Sequence, residues 1–216
     1  MFNPDYLMKW KSCPIEPLIL LQKMRLKHNY LLLILPLLLF SCKKKEPYLE
    51  VRKTLEKVLA DDQKFRQANY DETKQNPIDR KNIKIVTKII DSLGWLGKDK
   101  IGNDANLALF AVIQHADQLS TMEKYLPILK EAAKKGDAEK EQAAYLIDRV
   151  ELLNNRKQIY GTQYSMKKNG TAFIENLIDS VNVNTRRKSM GLYPIEKYIR
   201  MIDSSNNVEY KKNSRL

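Results

Sequence analysis

Gln114, His115, Asp117 and Gln118 close the stretch LFAVIQHADQ, residues 109–118, whose first five residues carry no polar side chain. An imidazole changes charge near neutral pH, so at the edge of a buried surface it can give or take a proton. That makes His115 the candidate general base, with Asp117 or Asp148 as the carboxylate that orients it. A ring ending a helix can equally serve as a C-terminal cap, where its charged form is favoured. The chain's other histidine, His28, lies in its first 42 residues. A site with two histidines is therefore not expected, and no metal or cofactor is assigned.

Guanidinium groups form the second set. Asp62 and Arg66 stand four residues apart and continue an apolar helical stripe, next to Gln63. They could fix helix register as an ion pair or face a ligand at a pocket rim. Arg149 falls, at ~100° per residue, inside the arc of Ala143, Leu146, Ile147, Val150, Leu152 and Leu153, with Asp148 outside it. A guanidinium among apolar neighbours needs a carboxylate, carbonyl oxygens or an anionic ligand. Candidate partners are Asp62, Asp117 and the end of the helix before Asp117. The run Tyr160-Gly161-Thr162-Gln163 adds hydroxyl and amide groups. No cysteine follows Cys42 and no G-x-S-x-G occurs, so any enzymatic reading takes the form of a hydrolase that activates water.

The elements that must position these groups read as helices. Leu55, Val58, Leu59, Asp62, Phe65 and Arg66 recur at helical spacing, as do Ile83, Val86, Ile89, Ile90 and Leu93. After a glycine-punctuated loop containing Trp95, residues 105–116 are apolar nearly all round, the pattern of a helix enclosed by others. Asn103 or Asp104 could cap it. The next helix opens with Ser120 and Glu123 in capping-box spacing and contains Pro127. Another runs through AEKEQAAYLIDRVELLNN. Asn169-Gly170, between QIYGTQYSM and TAFI, predicts a hairpin with Tyr160 to Gln163 on its first strand. Two short helices follow, divided by Gly191 and Pro194. The expected fold is mainly α, a single domain of six to seven helices with one small β-hairpin over 49–203 and a flexible tail over 204–216.

The N-terminus points to the cell envelope. From Met24, a basic segment, the apolar run YLLLILPLLLF and SCKKK have the order of a secretory signal. The apolar run is about half of the ~20 residues that span a bilayer. Leu39-Phe40-Ser41-Cys42 resembles the lipobox of bacterial lipoproteins, which implies lipidation at Cys42, a signal region over 1–42 and a tether over 43–48. Residues 1–23 are then an overlong start or an extended leading segment. The expected location is membrane-anchored, facing the periplasm. The chain carries a net charge of +12. Residues 43–216 hold 33 Lys and Arg against 24 Asp and Glu, a net +9. Those charges lie along helix faces with no basic stripe interleaved with aromatics, so nucleic acid is not an expected partner.

DDQKFR, GWLGKDKIGNDANLALFAVIQHAD, YLPILKEA, YLIDRVELL, QIYGTQY and RRKSMGLYPIEKY together resemble an uncharacterised bacterial domain-of-unknown-function family. Its members share DQ-x2-R, GW-x4-G, QH-[AS]-D, DRV, YGTQ and R-x3-GL motifs and are often exported. The resemblance spans about residues 60–200. One departure is Leu96, where a proline commonly follows the tryptophan. The resemblance implies that Asp62, Gln63, Arg66, Trp95, His115, Asp117, Asp148, Arg149, Gln163 and Arg187 converge on one site, without naming a reaction. The expected function is binding of a small polar or anionic ligand between the QHAD helix end and the YGTQ hairpin, with Tyr160 also lining it. Two alternatives stand beside it: the hydrolase based on His115, and an interaction module whose polar residues form a buried network.

Overall fold

Leu55 and Val58 on one helix, and Val86 and Ile90 on the next, are the apolar groups through which the first two helices enter the core. Those helices are α1 (Leu49–Gln63) and α2 (Glu72–Leu93) in a computed structural model that describes residues 46–66, 71–167 and 171–203. Next come α3 (Lys98–Ile101), α4 (Asn103–Gln114), α5 (Leu119–Lys135) and α6 (Lys140–Leu153). A two-stranded antiparallel ribbon, β1 (Ser165–Met166) and β2 (Ala172–Phe173), precedes α7 (Val183–Ser189) and α8 (195–203). The fold is mainly helical with one small hairpin. Pairing of Ser165 with Phe173 and Met166 with Ala172 sets the register. The Asn169-Gly170 turn lies outside the described residues, as do Cys42, the rest of the signal region and the tail from Ser204.

Helix α4 is the axis of the bundle. It packs against α1, α2, α3, α5 and α6, and its residues from Leu109 to Gln114 are all buried. A helix in that position cannot present a polar face, which is why its sequence is apolar all round. Asn106 is the exception in mid-helix. Its Nδ2 donates to the carbonyls of Leu96 and Asp137, both at 2.8 Å, and so ties two loops to α4. Trp95 and Leu96, in the first of those loops, are themselves buried. Among the described residues no helix is long and apolar enough to cross a membrane.

Several local expectations are corrected. Helix α2 begins at Glu72, well before Ile83, where its apolar periodicity starts. Asp71 caps it by accepting from the Lys74 N–H, and Pro77 is accommodated inside it. Helix α4 has Gly102 as its N-cap, not Asn103 or Asp104. Helix α5 starts at Leu119 with Gln118 as its N-cap and no side-chain cap, so Ser120 and Glu123 form no capping box. Glu123 instead accepts from Asn154 Nδ2 at the far end of α6.

Tyr160 to Gln163 precede the ribbon as irregular backbone; they are not part of its first strand. The reason is Gly161, at φ +65°. A Cβ there would sit 2.9 Å from Ile195 Cδ1 and 3.2 Å from Ile174 Cγ2. Both the backbone angle and the crowding call for glycine, and together they turn the chain inward where a strand would have run straight.

Candidate functional site

Polar side chains replace the apolar stripes of α1 and α2 where these helices meet the end of α4. On α1 the stripe of Leu55 and Val58 continues through Asp62 to Arg66, just beyond the helix. On α2 the buried positions 75, 79, 82, 86 and 90 are Gln, Asp, Asn, Val and Ile. Val86 and Ile90 pack in the core, whereas Gln75, Asp79 and Asn82 carry the same face into a hydrogen-bonded network.

Arg66 Nη2 donates to Asp79 Oδ2 at 2.5 Å and to Asp62 Oδ1 at 3.4 Å. Gln75 Nε2 donates to the other Asp79 oxygen at 2.7 Å, while its carbonyl oxygen accepts from the Phe65 N–H. Gln63 Nε2 donates to Asp62 Oδ2 at 2.7 Å. His115, which ends α4, completes the set: its Nδ1 lies 3.1 and 3.0 Å from the two Asp62 oxygens. Fifty-three residues separate that pair in the chain. The carboxylate that orients the imidazole is therefore Asp62. Asp117 is exposed and Asp148 is engaged elsewhere, so neither takes that role.

The electrostatics follow from burial. Desolvation pushes the His115 pKa below its ordinary value, and the neighbouring Arg66 and Arg149 charges push the same way, against the pull of Asp62. Burial would raise Asp62, but His115, Arg66 and the Gln63 amide hold it below the usual carboxylate range. A neutral imidazole then donates its Nδ1–H to Asp62, which leaves Nε2 as an acceptor. Nε2 has no hydrogen-bond partner among the described residues. For Asp79 burial wins over its partners, and its pKa is raised.

Arg149 approaches the same place from α6. It is half-buried and makes no hydrogen bond or ion pair among the described residues. Burial and the charge of Arg66 draw its pKa down to about 10. The expected burial of the Asp148-Arg149 pair is thereby reversed. Asp148 is the fully buried member, at 0% exposure, because residues 158–163 pack over its side of α6.

That segment is folded around the Asp148 carboxylate. Asp148 accepts from the N–H groups of Ile159 (2.7 Å), Tyr160 (3.0 Å) and Thr162 (2.9 Å), and from Thr162 Oγ1 (2.9 Å). Arg187, 1% exposed, donates from Nη1 to the carbonyls of Tyr160 and Gly161 and from Nε to that of Tyr193. Its guanidinium lies 4.8 Å from the Tyr198 ring centre. Gln163 is buried; its N–H donates to Gln158 Oε1 and its Nε2 to the Tyr145 carbonyl. Tyr160 is half-buried.

The singled-out residues thus fall into two networks. One joins Asp62, Gln63, Arg66 and His115, with Arg149 facing them electrostatically. The other joins Asp148, Thr162, Gln163 and Arg187 and holds the loop. Trp95 is buried in the core with an unpartnered Nε1. Gln75 and Asp79, central to the first network, were not singled out from the sequence. Their four-residue spacing, in register with Val86 and Ile90, is the signal that could have found them. No group of three or more His, Cys, Asp or Glu side chains suited to holding a metal occurs among the described residues.

The family model for DUF6624, a family of unknown function, matches residues 56–211, and the chain belongs to that family. No curated protein and no solved structure matches the chain.

Proposed function

We propose that this DUF6624 domain binds a small anion at the His115 end of α4, with the Arg149 guanidinium as its main charged contact. The observation that carries this reading is Arg149 itself: a half-buried cation with no carboxylate partner among the described residues. The two nearby carboxylates are already engaged, Asp79 by Arg66 and Gln75, and Asp62 by His115, Gln63 and Arg66. Arg66 Nε is also buried without a hydrogen-bond partner, so positive charge in this network is not fully matched. A guanidinium so placed gains most from a ligand that brings its own negative charge.

Inorganic phosphate, followed by calorimetry with acetate as the comparison anion, tests this. Arg149→Gln should weaken phosphate binding about tenfold or more, since a charge-assisted hydrogen bond is worth about 1.5–3 kcal/mol. Equal affinity in the two proteins would remove Arg149 from the site. The Asp62–His115 contact favours a second reading, in which the site hydrolyses its ligand with His115 as the general base for water.

The anionic-ligand site belongs, in this proposal, to an exported chain anchored in the cell envelope through lipid on Cys42. The basic, apolar and Leu-Phe-Ser-Cys segments support it. Cells given a labelled fatty acid should incorporate it into the wild-type chain and not into Cys42→Ala. Label of equal intensity in both would exclude this anchor.

A further inference from the structure

We propose that His115 Nε2 accepts a phosphoryl group from a small phosphorylated substrate bound at this site. The inference rests on the anion-binding reading above and assigns its ligand class. Three observations support it.

First, Asp62 holds the ring by Nδ1 at 3.0 Å, so only Nε2 is left to react. Second, the other side chains of the network are carboxylates, amides and guanidinium groups: Asp62, Gln63, Arg66, Gln75, Asp79 and Arg149. The amides and guanidinium groups are not nucleophiles, and the two carboxylates, which can be, are already engaged by His115, Gln63, Arg66 and Gln75, so the Nε2 lone pair is the free nucleophile of the set. Third, Arg149 makes no ion pair among the described residues, and its planar donors match the oxygens of a phosphoryl dianion, which brings the charge this cation lacks.

The step balances with a simple donor such as phosphoramidate. Phosphoramidate reacts as its zwitterion, with the nitrogen already protonated: the neutral imidazole lone pair on Nε2 attacks phosphorus, and the P–N bond of the donor breaks with its electron pair leaving on neutral ammonia. The ring keeps its Nδ1 proton and becomes cationic, and the buried Asp62 carboxylate offsets that charge. Transfer to water then breaks the new P–N bond and releases inorganic phosphate. Neutrality of the resting imidazole, favoured by its burial, leaves the attacking lone pair available.

The test is incubation of the full chain with phosphoramidate, read by intact mass, phosphosite mapping and phosphorus NMR. One acid-labile phosphoryl group is expected on His115, as the Nε2 isomer alone. His28→Gln should leave incorporation unchanged, Arg149→Gln should slow it, and His115→Gln should abolish it. Mapping in the wild-type chain keeps the test sound even if the last variant fails to fold. Phosphate binding without phosphoryl transfer would overturn this inference and leave the anion site standing. Loss of both would overturn both. Hydrolysis of a phosphate ester with no covalent intermediate would replace it with the general-base reading. The Nδ1 isomer would contradict the role given to Asp62.

Discussion

Asp148→Ala should destabilise the domain by about 3–5 kcal/mol, as much as truncating a large core side chain to alanine. Three backbone N–H groups and one hydroxyl converge on this carboxylate. Leaving a buried donor unsatisfied costs about 1–3 kcal/mol, and partial rehydration of the loop limits the total. Asp148→Asn keeps one acceptor oxygen but turns an NH2 group toward donors, so it should fall between wild type and alanine. The charge contributes less than the geometry. Burial raises the Asp148 pKa in spite of its four donors. Its protonation therefore adds stability at low pH that is lost as pH rises through the folded value. Urea unfolding followed by circular dichroism measures these effects. A loss under about 0.5 kcal/mol for alanine, the range of an ordinary surface substitution, would show that the loop does not depend on this residue.

Arg66→Met should cost about 3–5 kcal/mol near pH 7, and the cost should shrink as the pH is lowered toward 5. The substitution leaves Asp62 and Asp79 buried close together without the cation that bridges them. Each carboxyl would then hold its proton more tightly folded than unfolded. A group with a raised folded pKa stabilises the fold below its unfolded pKa and loses that contribution as pH rises. In the wild type Asp62 behaves oppositely: its pKa is lowered, so its contribution is present above 3.8 and lost as pH falls through the folded value. His115 adds a second wild-type slope of the same sign. Its lowered pKa gives stability above 6.5 that declines as pH falls through its folded value. Unfolding at several pH values distinguishes these contributions. A cost for Arg66→Met that did not change with pH would mean that the two carboxyl groups are not electrostatically coupled through the arginine.

Much of this arrangement is legible in the residues themselves. Uniform apolarity marks α4 as enclosed, and Asp62 and Arg66 interrupt an apolar stripe in a way that sets them apart. The missing parts have identifiable causes. Residues 72–81 are too polar to show an apolar period, yet their buried face continues that of Val86 and Ile90, so the start of α2 and the roles of Gln75 and Asp79 stayed hidden. The burial of Asp148 over Arg149 could not be read from α6 alone. The apolar arc of that helix says which side faces α4 and α5, but not that the later segment 158–163 covers the adjacent side. The Asp62–His115 pair depends on how α1 lies against α4, which periodicity within either helix does not specify. The strand expected at Tyr160 to Gln163 was overruled by Gly161, whose positive φ and tight surroundings bend the chain toward α6.

Asp148 and Arg149 are neighbours on one turn of α6, yet one anchors a loop and the other acts on His115 through its charge. A helical turn moves as a rigid piece, so a shift that reseats one of these side chains displaces the other. Adjusting the anion end for a different ligand by tilting α6 would strain the clasp around the carboxylate. A change in the clasp would in turn alter what the guanidinium can reach. Diversification of recognition in this scaffold is therefore expected to proceed through α1 and α2, which contribute to the anion end without gripping the loop.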